Sequence, residues 1–290
     1  MRIANLSGRA VLLGQTMALD IATASHGKFG PEPRSVWAQW TDFSAWADGI
    51  DVDSNDGSVY FDEAHLGAPS PLPSQIFAVG LNYADHAAES DMVLPENPIV
   101  FTKFPSSLTG PHATVRLSGD RVDWEAELVV VIGTGGRGIP ESAGWSAVAG
   151  LTVGQDISDR TVQSWGAPSA QFALGKSFEG YGPTGPAVVT IDEIREGHDV
   201  DALGVLSYIA DGDGELRLLQ EGNTRNMIFS VPVLVSRLSA IVELRPGDLI
   251  FTGTPKGVGL GRKPPVFLKD GQRLTTTIEG VGTIRQVLRA

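Results

Sequence analysis

The stretch VDWEAELVVV, residues 122–131, decides how the rest of the chain is read. Side chains alternate along a strand, so Asp123, Glu125 and Glu127 are expected to project from one face. From Leu128 to Val131 the run is solidly apolar. Three carboxylates on one face repel each other unless that face is fully wet or something positive sits against it. An isolated E-x-E is most simply a solvated strand face. The same spacing also brings two oxygen donors to one point, which suits a hard divalent cation such as Mg²⁺, Mn²⁺ or Ca²⁺. Such an ion usually takes a third carboxylate. The segment GLTVGQDIS offers Asp156 after an apolar strand.

Bulk composition narrows the classes. The 290 residues carry a formal charge of −12, and 42% of them are hydrophobic. That length suits one large domain or a body with a smaller companion. The acidic balance argues against a nucleic-acid partner, because a phosphate backbone needs a basic surface. No apolar run approaches a membrane span, and MRIANLSGRAVLLG lacks the pattern of a signal peptide. A chain without cysteine forms no disulfide, thiolate nucleophile or Cys-ligated metal centre. A cytoplasmic location is expected. With 35 Gly and 18 Pro, many short strands joined by turns are expected.

Residues 1–66 are expected to form a small N-terminal domain, followed by a Pro-rich linker at 67–75 and a β-rich body from 76 to 290. Trp37, Trp40, Phe43 and Trp46 recur at three-residue spacing, which predicts one aromatic helical face that packs inward. PESAGWSAVAG reads as a short helix opened by Pro140. SVPVLVSRLSAIVEL reads as the clearest helix, with Val231, Leu234, Val235, Leu238 and Ile241 in one stripe.

Further candidates lie in LNYADHAAES. His86 and Glu89 share a face if that segment is helical. A carboxylate beside an imidazole fixes its tautomer and strengthens it as a general base for water. An incidental ion pair is the plainer reading of H-x-x-E alone. Lys103 and Lys176 sit among apolar neighbours, where a lysine can face a cleft rather than solvent. GTGGRG at 133–138 satisfies a dinucleotide fingerprint, but the strand before it is charged on one face and no repeating βαβ pattern surrounds it.

Read together, these segments resemble the fumarylacetoacetate hydrolase superfamily over about residues 73–290. The resemblance rests on VGLNYADHAAE, FTKFPSSLTGP, DWEAELVVVIG, GQDISDRTVQ, GKSFEGYGPTGP, NTRNMIFSVPVLVSRLSAIVELRPGDLIFTGTPKGVG and LKDGQRLTTTIEGVG, in that order. It implies a mainly β fold with some α, a mixed β-sandwich roll of the α+β class, usually as a homodimer. It makes Glu125, Glu127 and Asp156 the metal ligands, with Mg²⁺ or Mn²⁺ as the expected ion. It makes His86 and Glu89 the water-activating pair, Lys176 and Gln163 further catalytic groups, and Lys103, Thr254 and Tyr83 substrate contacts. The implied activity is hydrolytic C–C cleavage of a β-diketo or 2-oxo acid such as an acylpyruvate, through an enolate that the metal stabilises. Double-bond isomerisation of a 2-hydroxyhepta-2,4-diene-1,7-dioate-type acid and oxaloacetate-like decarboxylation stay open on the same site. A metal-stabilised binding protein is the alternative outside enzymology.

Overall fold

The computed structural model describes residues 1–89, 93–167 and 170–290. The apolar run forms the strand Ala126–Ile132, in which every residue is buried. It lies inside a twelve-stranded sheet, between Val148–Gln155 and Leu249–Phe251, and pairs antiparallel with both. Alternation sends its side chains to two cores. Leu128 and Val130 pack with Val205, Ile278 and Ile284 of a five-stranded sheet stacked on one face. Val129 and Val131 pack on the other face with Phe29, Trp37 and Phe43. A strand apolar on both sides is what this double covering requires. Gly150 in the neighbouring strand has a steric reason, since a Cβ there would stand 2.3 Å from Val189 O.

The first 66 residues share this framework. Arg2–Leu6 pairs with Gly182–Val189, and the strands Arg9–Leu13, Met17–Asp20 and Val59–Tyr60 extend the same sheet. The aromatic segment forms two helices, Pro33–Ala38 and Trp40–Ala47, which meet at Gln39. The expected single helical face is therefore broken. Its rings still stack in sequence, with centroids 5.8–6.0 Å apart. Trp37 is 2% exposed and donates Nε1–H to Pro69 O at 3.3 Å. Trp37→Ala should cost about 3–5 kcal/mol and lower the melting midpoint by roughly 10 °C. Scanning calorimetry checks this; a drop under about 3 °C would mean the ring adds little to the shared core.

Two helix expectations are corrected. Residues 140–149 form two 3₁₀ turns, Glu141–Ala143 and Trp145–Ala147, and then enter a strand. The long helix runs Val231–Ser239 and buries Val231, Leu234, Val235 and Leu238. Ile241 lies beyond its end and is 79% exposed, so it is not part of the stripe. Among the glycines of GTGGRG, Gly133 and Gly135 answer to packing and Gly138 to a left-handed backbone at φ 62°. A Cβ on Gly135 would stand 2.1 Å from Leu244 O, which is a backbone-on-backbone contact rather than a phosphate cradle.

Candidate active site

The acidic run does not keep one face. Val122–Asp123 pairs with Ser158–Asp159 in a separate two-stranded ribbon, and the next strand begins only at Ala126. Asp123 is thereby drawn away from the other two acids. Glu125 and Glu127 converge instead with Asp156, which follows the strand Val148–Gln155. One carboxylate oxygen from each of these three lies within 4.8 Å of the others, and all three residues are buried. Gly253 N donates to Glu127 Oε2 at 2.8 Å and fixes that side chain.

Cations hold the cluster from two sides. Lys176 Nζ donates to Glu125 Oε2 at 2.7 Å and to Asp156 Oδ2 at 2.6 Å. Lys103 Nζ donates to Asp156 Oδ1 at 2.7 Å, to Tyr181 O at 3.2 Å and to Lys176 O. Arg160 Nη2 reaches Glu125 Oε1 and Asp123 Oδ2, each at 2.7 Å. Burial alone would push the Glu125 carboxyl up, but Lys176 and Arg160 outweigh it and hold the group at about 2. Burial pushes Glu127 well above the usual carboxylate range, and Asp156 and Glu125 push it further the same way. Burial pushes Lys103 down. It would do the same to Lys176, but Asp156 and Glu125 hold that ammonium above its ordinary value.

The donor set fits a hard divalent ion. Its ligand atoms are carboxylate oxygens only, which is the chemistry of Mg²⁺ and Mn²⁺ sites. With Asp123 included and every group taken in its charged form, four buried carboxylates face three cations, an excess of one negative charge. A divalent ion would turn that into an excess of one positive charge, which the carboxylate of a ligand would cancel.

Of the three acids, Glu125 reaches a cavity of about 490 Å³, which Arg160, Gln163, Lys176 and Thr254 also line, while Glu127 and Asp156 lie behind that lining. His86 and Glu89 line the same cavity. They stand on the helix Ala84–Glu89, with His86 Nδ1 3.4 Å from Glu89 Oε2. Asn82 anchors the start of that helix: its amide donates to Phe229 O and Thr252 O at 3.0 and 2.8 Å, and its carbonyl accepts from Phe229 N. Leu81, next to it, takes a left-handed backbone at φ 56°, a strained conformation for a leucine. Gly257 N lies 3.1 Å from both Glu89 oxygens. The apolar wall includes Phe101 stacked on Phe172 at 5.5 Å, with Val258 and Leu260. A larger cavity of about 860 Å³ beside Trp145 and Arg225 exposes none of the three converging acids.

Residues 75–289 match the family model for the fumarylacetoacetate (FAA) hydrolase C-terminal region. The chain belongs to the fumarylacetoacetate hydrolase family. A Bos taurus protein named as a mitochondrial oxaloacetate tautomerase, FAHD2B, is 42% identical over 219 residues, 75% of this chain and 67% of that protein. A Mycobacterium smegmatis protein with the provisional name HpcE is 47% identical with a TM-score of 0.90, covering 100% of this chain and 99% of its own. A fumarylacetoacetate hydrolase from Exiguobacterium antarcticum is 30% identical with a TM-score of 0.82, at the same coverage.

Within this family frame, the candidate residues fall at different depths. Glu125, His86, Glu89, Gln163, Lys176 and Thr254 share the cavity. Lys103 is fully buried and braces Asp156; it is not among the lining residues. Tyr83 is also fully buried and off the lining, with no hydrogen-bond partner for its hydroxyl among the described residues. Burial and the nearby Glu127 push that phenol far above its ordinary range. Thr254 lines the cavity but spends its hydroxyl proton on Ala126 O at 2.9 Å and accepts from Gln220. Gln163 accepts from Arg160 Nη1 at 2.8 Å through its side-chain carbonyl. Local sequence pattern does not mark Arg160 or Asn82 as part of the site. A charged residue four positions after Asp156, in a segment capped by Asp159, was the available signal for Arg160.

Proposed function

We propose that the chain is a divalent-metal-dependent enzyme that moves a proton on an enolisable 2-oxo acid, with keto–enol tautomerisation of an oxaloacetate-like diacid as its reaction. The observation that carries this reading is the His86–Glu89 pair lining the same cavity as Glu125, Arg160 and Lys176. Glu125, Glu127 and Asp156 would hold Mg²⁺ or Mn²⁺, which supplies Lewis-acid stabilisation of negative charge on a carbonyl oxygen. Arg160 and Lys176 attract the substrate carboxylate. The stacked Phe101–Phe172 wall, with Val258 and Leu260, limits water around the reacting carbons. His86, oriented by Glu89, takes a proton from the carbon beside the 2-oxo group. The C–H electron pair moves into the new C=C bond and the carbonyl pair onto oxygen. That oxygen takes the proton back to give the enol, so no atom is gained or lost. The name of the Bos taurus relative supports this reaction.

Hydrolysis of an acylpyruvate is a second reading, favoured by the pairing of His86 with a carboxylate and by the name of the Exiguobacterium relative. There His86 takes a proton from water, the hydroxide adds to the distal carbonyl, and the C–C bond breaks with its electron pair on the 2-oxo fragment. The proton then returns to that carbon. His86→Ala should lower turnover by about 10²–10⁴ while Mn²⁺ affinity stays unchanged. The assay follows oxaloacetate enol absorbance, with acylpyruvate loss and CO₂ release scored separately. Wild-type protein that accelerates none of the three with Mg²⁺ or Mn²⁺ would overturn the enzymatic reading in favour of a metal-stabilised binding protein.

A further inference from the structure

Asp123 opens the acidic run, yet it stands outside the three acids that converge. It is fully buried and collects five N–H donors. Its Oδ1 accepts from Trp124 N at 2.8 Å and Gly259 N at 2.7 Å. Its Oδ2 accepts from Arg160 Nε at 2.9 Å, Arg160 Nη2 at 2.7 Å and Leu260 N at 2.9 Å. Only a carboxylate meets that demand. An asparagine would turn its NH₂ toward donors on one side or the other.

The two sides lead to two parts of the site. Arg160 goes on to Glu125 Oε1 at 2.7 Å and Gln163 Oε1 at 2.8 Å. The loop 257–261 seats Glu89: Gly257 N donates to it, and Gly257 O accepts from Trp124 Nε1 at 3.1 Å. The fit is close at both ends. A Cβ on Gly259 would stand 2.6 Å from Asp123 Oδ1, and one on Gly261 would stand 3.0 Å from Glu89 Cδ.

We propose that Asp123 is a positioning residue that aims Arg160 at Glu125 and Gln163 and, through the 257–261 loop, fixes Glu89 against His86. The inference rests on the reading of His86–Glu89 as the base pair. Its reach is from the carboxylate wall of the cavity to the imidazole wall, along hydrogen bonds that pass through one side chain.

The test combines kinetics with a probe that needs no turnover. Asp123→Asn should lower kcat by about 30-fold, the scale of losing an orienting contact, with KM and Mn²⁺ affinity held within about threefold. Adding Asp123→Asn to Glu89→Gln should cost clearly less than the roughly 30-fold of Asp123→Asn alone, because the arm through the loop is already lost and only the Arg160 arm remains. Losses that multiply, or an unchanged kcat, would overturn the proposal; a purely structural Asp123 would lower the folded fraction and give multiplying losses. In protein labelled with 5-fluorotryptophan, the Trp124 resonance, assigned with Trp124→Phe, should shift in Glu89→Gln and in Asp123→Asn. A Trp124 resonance unmoved by Glu89→Gln overturns the link by itself, and that variant serves if Asp123→Asn does not fold. A shifted resonance in protein that turns over no 2-oxo acid would sink the functional reading and leave the structural link standing.

Discussion

Replacing Glu127 with glutamine is expected to abolish metal-dependent turnover and to make the metal-free protein more stable. Both effects follow from one buried carboxylate. Glu127 is 2% exposed and accepts one backbone N–H, from Gly253. Glutamine can keep that bond and add no charge. Burial, then Asp156 and Glu125, hold the Glu127 carboxyl well above its ordinary range. A carboxyl raised on folding binds its proton more tightly in the folded state than in the unfolded chain. Its contribution is fully present below the unfolded value of about 4.3 and is lost as pH rises through the folded value. Metal-free wild type should therefore lose stability across that window. The glutamine variant should lack that slope and gain on the order of 2 kcal/mol near neutral pH. Mn²⁺ should raise the melting midpoint of wild type and not of the variant. Turnover should fall by at least about 10³, the scale of losing a preorganised charge interaction. Melting curves from pH 5 to pH 8 with and without Mn²⁺ check the first part; a variant that binds Mn²⁺ like wild type would remove Glu127 from the ligand set.

Lys176→Met should produce the opposite balance. Methionine keeps most of the stem and removes the ammonium that bridges Glu125 Oε2 and Asp156 Oδ2. Breaking a buried pair leaves uncompensated charge, so the metal-free variant should lose about 3–5 kcal/mol. A divalent ion supplies part of the missing charge, so Mn²⁺ should recover more stability in the variant than it adds to wild type. Affinity for oxalate, a stable mimic of a 2-oxo acid, should weaken by about 30-fold, the size of one charge-assisted hydrogen bond. Calorimetric titrations of Mn²⁺ and of oxalate separate the two roles. Equal loss of both would show that Lys176 serves the metal site rather than the substrate.

Much of this architecture was legible in the linear chain. The apolar run Leu128–Val131 was legible as a strand, whereas its covering on both faces was decided by the two cores that pack against it. Local periodicity worked where one element carried the pattern, as in Val231–Ser239. It failed where a neighbour ended the element: the aromatic helix breaks at Gln39, and Ile241 falls outside its helix. Thr254 shows the same limit at the site. A hydroxyl near a cavity reads as a donor, but Ala126 O and Gln220 already use it.

What the sequence determined by itself was the chemistry on offer: a cysteine-free acidic chain with Glu125 and Glu127 at strand spacing, Asp156 after a later apolar strand, and a histidine three residues before a glutamate. Only the tertiary structure decided which charges meet. Strand alternation puts Asp123 beside Glu125 and Glu127, but pairing with Ser158–Asp159 draws Asp123 to Arg160 instead. The physical reason is that a buried carboxylate takes its partner from whatever the fold brings within hydrogen-bonding reach. Here Arg160 lies 37 positions along the chain and Gly259 lies 136, separations that no local spacing encodes.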